Sequence, residues 1–447
     1  MASQTAFSRR GLLAGLAAVG AGAALGVVGC ARSGAAGPMQ FMNFYTPQDQ
    51  GADPQLIVQA EWFDKAIASW NANHPEQVEP IFVPDYVNPM NPRIATSFAA
   101  ENGPDIFLLS PGEFLRYFNG GVMLDLKPFM TPDAVADFLP EAIGTRVVGD
   151  GIFALPMEVE PLSIYYDIAA FEESGLAEGD LPRTWEQMLD VAERLTTARR
   201  SGLVLETSPG YYQNFTFYPW VWQGGGDVID LRTQRATLTS PSMLAALELF
   251  AESITRGVAS RTPPASGEIV SGFKQGLAAM WQRGPWSIQE FALQAPEHRY
   301  GIIPLPTPPG GQPTTVGGGW AWAVNNRGRN PEAAARFVVE SVGSMSRECI
   351  DRCADWNGRA KSNMPARASV SAAMEQLPSF TDPARSAVRA QLPSTRGEPR
   401  YPPVLYKALS NTIQSVQLAG GDPLAQAQSA QSTIESFLRT YEGAALL

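Results

Sequence analysis

The sequence predicts an α/β protein organised as two or three domains or two large lobes. Three observations carry this. The chain has 447 residues, and a domain takes roughly 100–200, so a sizeable core can be buried. Short apolar strands alternate with amphipathic helices, the pattern of α/β units around a largely parallel sheet. The most Pro/Gly-rich stretch, PLPTPPGGQPT at 304–314, interrupts that alternation as a linker or crossover. Composition bounds the function. With 45% apolar and 17% charged residues, 41 Gly and 37 Pro, whole-chain disorder and collagen are excluded. A net charge of -11 leaves no broad footprint for nucleic acid. The histidines are His74 and His298 and the cysteines Cys30, Cys349 and Cys353, which excludes a multi-histidine metal site and leaves little for zinc. No metal or cofactor is expected.

The elements follow in order. Residues 1–29 read as an address to be excluded from the fold. Ser8-Arg9-Arg10 precedes the uncharged run GLLAGLAAVGAGAALGVVG, which ends at Cys30. This resembles a bacterial twin-arginine signal followed by a lipobox, with Val27 where the pattern usually has Leu. The resemblance implies cleavage before Cys30, acylation of that cysteine and a lipid anchor on the outer face of the cell membrane. An uncleaved membrane helix is the alternative; either places the body outside the cytoplasm. Residues 30–39 read as a flexible tether. Gln40–Tyr45 reads as a first strand, 55–73 as a helix with Leu56, Phe63, Ile67 and Trp70 at near-helical spacing, Ile81–Val83 as a strand, 92–101 as a helix and Ile106–Leu109 as a buried strand. Residues 151–168 are strand-like. Thr184 caps a helix with Gln187 at the capping-box position, and Asn330-Pro331 opens another. Gly317–Val324 returns as a strand, and the tail 403–441 is mainly helical. Cys349 and Cys353 lie one helical turn apart. In an oxidising compartment they pair if the helix breaks at Asp355–Gly358, and otherwise stay free buried thiols.

Several segments in a fixed order resemble the family 1 extracellular solute-binding proteins of ABC importers, the maltose-binding-protein-like group. They are Gly103–Phe107 with Gly120–Leu126, Gly151–Pro156 through Leu162–Asp167, Phe171–Leu176 with Pro182–Met188, Phe273–Met280 with Gly284-Pro285-Trp286, and Gly318-Gly319-Trp320. The resemblance covers nearly the whole mature chain. It implies the two-lobed periplasmic-binding-protein, or Venus-flytrap, fold: two discontinuous α/β lobes joined by three crossings. Lobe one would be 40–157 plus 306–350, and lobe two 158–305 plus 351–447. The ligand would sit in the cleft between them, trapped by hinge closure.

The candidate site residues come from both sources. The densest aromatic cluster, Tyr211 to Trp222, offers Tyr218 and Trp220, because flat rings stack on sugar faces; the competing role is core. Trp286 and Trp320, with Gly319, are implied by the family motifs. Glu158 and Glu160 lie two residues apart at the first crossing, on the same face of a strand and about 6.6–6.8 Å apart along it. Glu160 aligns with a carboxylate that contacts sugar hydroxyls in maltose-binding relatives. The relatives' Trp, Asp and Arg correspond here to Leu109, Gly112 and Glu113, which argues against maltodextrin, while Ser110 and Glu113 remain polar candidates. Tyr45, Gln48 and Asp49 follow the first strand. Asp355–Arg359 and Thr395–Tyr401 resemble ligand loops of the second lobe, which adds Trp356, Arg359 and Arg396. An arginine fork suits phosphate or several hydroxyls.

Three functions compete. The first is a monomeric, non-catalytic binding lipoprotein that hands a sugar, oligosaccharide or amino sugar to ABC permease subunits. A glycerophosphodiester- or glycerol-3-phosphate-binding protein of the same fold is its variant. The second is an extracellular glycosidase using Glu158 and Glu160; no P-loop, dinucleotide-binding, HExxH or CxxC pattern is present. The third is a sensory binding protein without a transporter.

Overall fold

The computed structural model describes residues 37–47, 53–84, 86, 93–264 and 268–447. The expected signal, the expected acylation site Cys30, most of the tether, Gln48 and Asp49 lie outside them. The first sheet has the strand order Val78–Phe82, Met39–Asn43, Ile106–Leu109, Ala321–Val324, Leu155–Pro156. Its first three strands and Leu155–Pro156 run one way, and Ala321–Val324 between them runs the other. Ile106–Leu109 is buried throughout, as an unbroken apolar run between two covered faces should be. Helix Pro54–Asn73 covers one face. Asp53 caps it by accepting from the Gln55 N–H at 2.8 Å. Trp62, Phe63, Ile67 and Trp70 are buried, whereas Leu56 is only half-buried. Phe63 and Trp322 stack 5.4 Å apart in this core.

The second sheet has the order Tyr300–Ile303, Ser163–Asp167, Ala278–Arg283, Ser201–Val204. Among these only Ala278–Arg283 and Ser201–Val204 pair in parallel, so this sheet is less parallel than the alternation suggests. Ser163–Asp167 and Tyr300–Ile303 are the strands through which the chain enters and leaves, and both run against their neighbour. Helices Tyr211–Gln223, Pro241–Thr255, Pro403–Gln417 and Pro423–Leu438 pack together beside it.

The strand-like stretch 151–168 is divided into Gly151–Ile152, Leu155–Pro156, Glu160–Pro161 and Ser163–Asp167. Its prolines remove ladder donors, and the division lets the chain pass from one sheet to the other. Glu160–Pro161 joins Thr315–Gly318 and Thr395–Gly397 in a third, three-stranded sheet, with Gly318 opposite Glu160 and Val316 opposite Arg396. Thr315–Gly318 is likewise the return from the second sheet to the first. This crossing sheet draws segments far apart in sequence to one place between two α/β lobes.

The helix Arg347–Asp355 does not break after Asp355. It continues as a π-helical turn, Trp356–Ala360. Cys349 and Cys353 therefore keep one-turn spacing and are buried free thiols. The disulfide alternative fails because the helix that was to open stays wound.

Candidate functional site

The crossing sheet positions Glu160, and the segment just before it positions Glu158. Both reach one ammonium: Lys361 Nζ donates to Glu158 Oε1 and Glu160 Oε1, each at 2.7 Å, and to the Tyr45 hydroxyl at 2.7 Å. Glu158 is fully buried and accepts a further bond from Trp356 Nε1 at 2.6 Å. Asn363 Nδ2 donates to Glu160 Oε1 at 2.7 Å. Burial, then the charge of Glu158, pushes the Glu160 carboxyl up to about 7 against the pull of Lys361 and Asn363. Lys361 is held above its ordinary range, because Glu158 and Glu160 outweigh the burial that opposes its charge. The two carboxylates thus stand on one wall and share one cation. Hydrolysis of a glycoside needs acids that flank the bond, so this geometry does not serve the glycosidase reading.

Next along the wall stand Gly319 and Trp320. Gly319 has φ +122°, and a Cβ there would lie 2.3 Å from the Glu158 carbonyl oxygen, so the close approach requires glycine. Its own carbonyl accepts from Arg146 Nη2 at 2.5 Å. Trp320 meets Phe44 edge-on at 4.7 Å and Tyr211 at 6.5 Å. Tyr211 opens the helix Tyr211–Gln223 of the second lobe, so these rings face each other across the junction. On the second-lobe side the half-buried Trp286 has Tyr212 at 6.4 Å and the Arg283 guanidinium 5.3 Å from its ring centroid. Arg283 in turn pairs with Glu290 at 3.2 Å.

Beyond strand Ile106–Leu109, at the carboxyl end where open α/β sheets place ligands, Ser110 stands at the N-cap position of the helix Pro111–Asn119 without a side-chain capping bond. Glu113 in its first turn pairs with Arg116 at 3.3 Å; burial raises its carboxyl despite that cation. Facing this turn is Glu398, which follows strand Thr395–Gly397 and is buried. Its Oε1 would lie 2.8 Å from a Cβ on Gly112, and its Oε2 3.2 Å from one on Gly318. The Gly112 N–H donates to it. Burial, with Glu160 and Glu113 adding to it, pushes Glu398 up to about 8 against Arg146 and that N–H.

The structure therefore brings together Tyr45, Ser110, Glu113, Glu158, Glu160, Gly319 and Trp320, with Trp286 across from them. The other candidates lie elsewhere. Trp220 is fully buried in the second-lobe core, bonded to Gln282 and packed on Trp185 and Phe250. Tyr218 is buried against Trp222 and Tyr401. Trp356 lies beneath the wall, its ring against Trp62 and Tyr45. Arg359 holds Asp355 with two 2.8 Å bonds. It lines an open groove of about 1040 Å³ that includes none of Glu160, Trp320 or Glu398. Arg396 pairs with Asp227 and lies over the Trp222 ring. Lys361 and Asn363 escaped the sequence reading. Tyr211 carried a signal as the first ring of the aromatic cluster and Glu398 as the acid of the Arg396 loop, but neither was singled out.

Two α/β lobes about a crossing sheet, with aromatic rings and carboxylates at their junction, define a two-lobed binding protein. The family described as bacterial extracellular solute-binding proteins matches residues 53–339, and the chain belongs to it. Solved structures agree on the fold. An ABC transporter solute-binding protein from Thermotoga lettingae bound to alpha-D-tagatose is 19% identical, with a TM-score of 0.75 over 90% of this chain and 99% of that one. A maltose-bound T. maritima protein, MalE3, gives 0.74 at 20% identity over 90% and 99%. UgpB from Mycobacterium tuberculosis in complex with glycerophosphocholine gives 0.72 at 20% over 91% and 99%.

Proposed function

We propose that this protein captures a carbohydrate-type solute at the lobe junction and delivers it to the permease of an ABC importer, as a monomer and without catalysing a reaction. The observation that carries the reading is the facing of Trp320 and Tyr211 across a wall that bears Glu160 and Glu398. Rings suit the C–H faces of a sugar, and carboxylates suit its hydroxyls. The sugar-bound relatives of the same fold support it. On this reading the lobes are 40–157 plus 306–350 and 158–305 plus 351–447, and the protein is a twin-arginine-exported lipoprotein anchored through Cys30 on the outer face of the membrane.

A thermal-shift panel of neutral sugars, amino sugars and glycerol 3-phosphate tests the solute class, since a ligand at 100 times its Kd stabilises by about 2.7 kcal/mol. Stabilisation by glycerol 3-phosphate alone would refute it. In calorimetry with the sugar so found, Trp286→Ala should weaken binding by roughly 10-fold while the melting temperature changes little, because the ring is only half-buried. For the anchor, Cys30→Ala should release the protein from the membrane or leave it unprocessed; a mature N-terminus without acyl chains refutes that part.

A further inference from the structure

The junction is rich in acceptors, and most donors of its cations are already engaged. An ammonium has three donors, and all three of Lys361 go to Tyr45, Glu158 and Glu160. Arg146 donates through its two terminal nitrogens to the carbonyls of Ala142 and Gly319 and to Thr145 Oγ1, while its Nε has no partner among the described residues. Arg116 is held by Glu113 and Tyr406. Glu398, by contrast, is 2% exposed and forms no ion pair with any described residue. A second, independent observation points to a missing donor. Asn363 Oδ1 and Ser110 Oγ are buried and have no hydrogen-bond partner among the described residues. Asn363 uses its amide nitrogen on Glu160, so the open oxygen lies beside that carboxylate. Ser110 stands at the N-cap position of the helix whose Gly112 N–H meets Glu398. Leaving such a buried atom unpaired costs about 1–3 kcal/mol.

Resting on the carbohydrate reading, we infer that the solute is a sugar carrying a free, positively charged amino group, with Glu398 as the residue that selects it. An ammonium supplies donors and positive charge to a wall of acceptors; an ionised phosphate offers mainly acceptors and negative charge. Phosphate here would face the three acids Glu113, Glu160 and Glu398, with the buried Arg146 Nε as an open donor. The arginine that suggested phosphate, Arg396, is paired with Asp227. Neutral hydroxyls fit the wall too, but leave Glu398 without its counter-charge.

Titration calorimetry on the full chain decides this with three disaccharides that differ only at C2: the β-1,4 disaccharide of glucosamine, its N-acetylated form and cellobiose. Glycerol 3-phosphate is the fourth probe. A hydrogen bond to a charged group contributes about 1.5–3 kcal/mol, or roughly 10–150-fold in affinity. The glucosamine disaccharide should bind at least 10-fold tighter than the other two, and Glu398→Gln should remove that margin. Equal or tighter binding of cellobiose or the N-acetylated sugar overturns the amino-group inference and leaves the carbohydrate reading intact. Tightest binding of glycerol 3-phosphate overturns both. The wild-type comparison needs no variant, and a melting curve of Glu398→Gln separates loss of fold from loss of selectivity.

Discussion

Glu160 and Glu398 flank the same central strand of the crossing sheet, and both are buried, yet they are neutralised by different means. Glu160 shares Lys361 with Glu158. Glu398 has a backbone N–H and the distant charge of Arg146, and its carboxyl is pushed up to about 8. A buried charge must be paired or must give up its charge. The first carboxylate follows the first course and builds the wall. The second is left to a proton or to whatever enters the junction. The contrast separates a structural acid from a recognising one, although their sequence contexts look alike.

The sharpest way to break the structural half is Lys361→Met. It leaves Glu158 and Glu160 buried on each other without a cation, and removing one partner of a buried pair costs about 3–5 kcal/mol. Urea denaturation at neutral pH should show that loss. Adding Glu158→Gln and Glu160→Gln should recover much of it, since neutral amides need no counter-ion. A Lys361→Met protein as stable as wild type would mean that the wall does not depend on the shared ammonium.

The recognising half predicts a pH dependence. Glu398 is raised from 4.5 to about 8 and Glu160 from 4.5 to about 7. The folded protein thus holds these protons more tightly than the unfolded chain does. Their stabilising contribution is complete below about pH 4.5 and is lost as pH rises through about 7 for Glu160 and about 8 for Glu398. The two acids should therefore tilt the stability profile downward across that window. Arg146, Glu160, Glu113 and the Gly112 N–H set the value for Glu398. Glu398→Gln should therefore match wild type near pH 5 and exceed it in melting temperature near pH 8. A variant profile parallel to wild type would show that Glu398 is ionised throughout.

Much of the fold was legible because its signals are local. Ile106–Leu109 is an unbroken apolar run, Asn330 caps its helix through the Ala333 N–H at 3.1 Å, and the family motifs fall in order. Glu160, Gly319 and Trp320 were legible for the same reason, being tied to short Gly- and Pro-marked crossings. What stayed hidden are pairings across the chain. Lys361 lies 201 residues from Glu160, and nothing near it in sequence announces a buried ammonium. Asp227, which occupies Arg396, is 169 residues away from it. Without that partner in view, the arginine looked open to ligand and the acid two positions on looked incidental. Trp220 failed differently. A tryptophan on an aromatic helix reads the same whether it faces a core or a cleft, and only Phe250 and Gln282 at its sides decide.

The smallest effect tests the same loop from its other end. The Arg396 side chain is 42% exposed, and its pair with Asp227 is open to water. Exposed ion pairs contribute about 0–1 kcal/mol, and a cation that stays open to water while lying over a ring adds about 0.5–1 kcal/mol. Arg396→Ala should therefore lower stability by at most about 2 kcal/mol. Because the guanidinium is directed at Asp227 and Trp222 and not at Glu160 or Trp320, affinity for the glucosamine disaccharide should stay within about twofold, under 0.5 kcal/mol. The paired measurement is what matters. If Glu398→Gln weakens binding and Arg396→Ala does not, the acid is the residue of this loop that meets the solute. If Arg396→Ala weakens binding 10-fold or more while Glu398→Gln is silent, the arginine turns away from Asp227 when solute enters. The loop then presents a cation, and the division between a structural and a recognising carboxylate no longer holds.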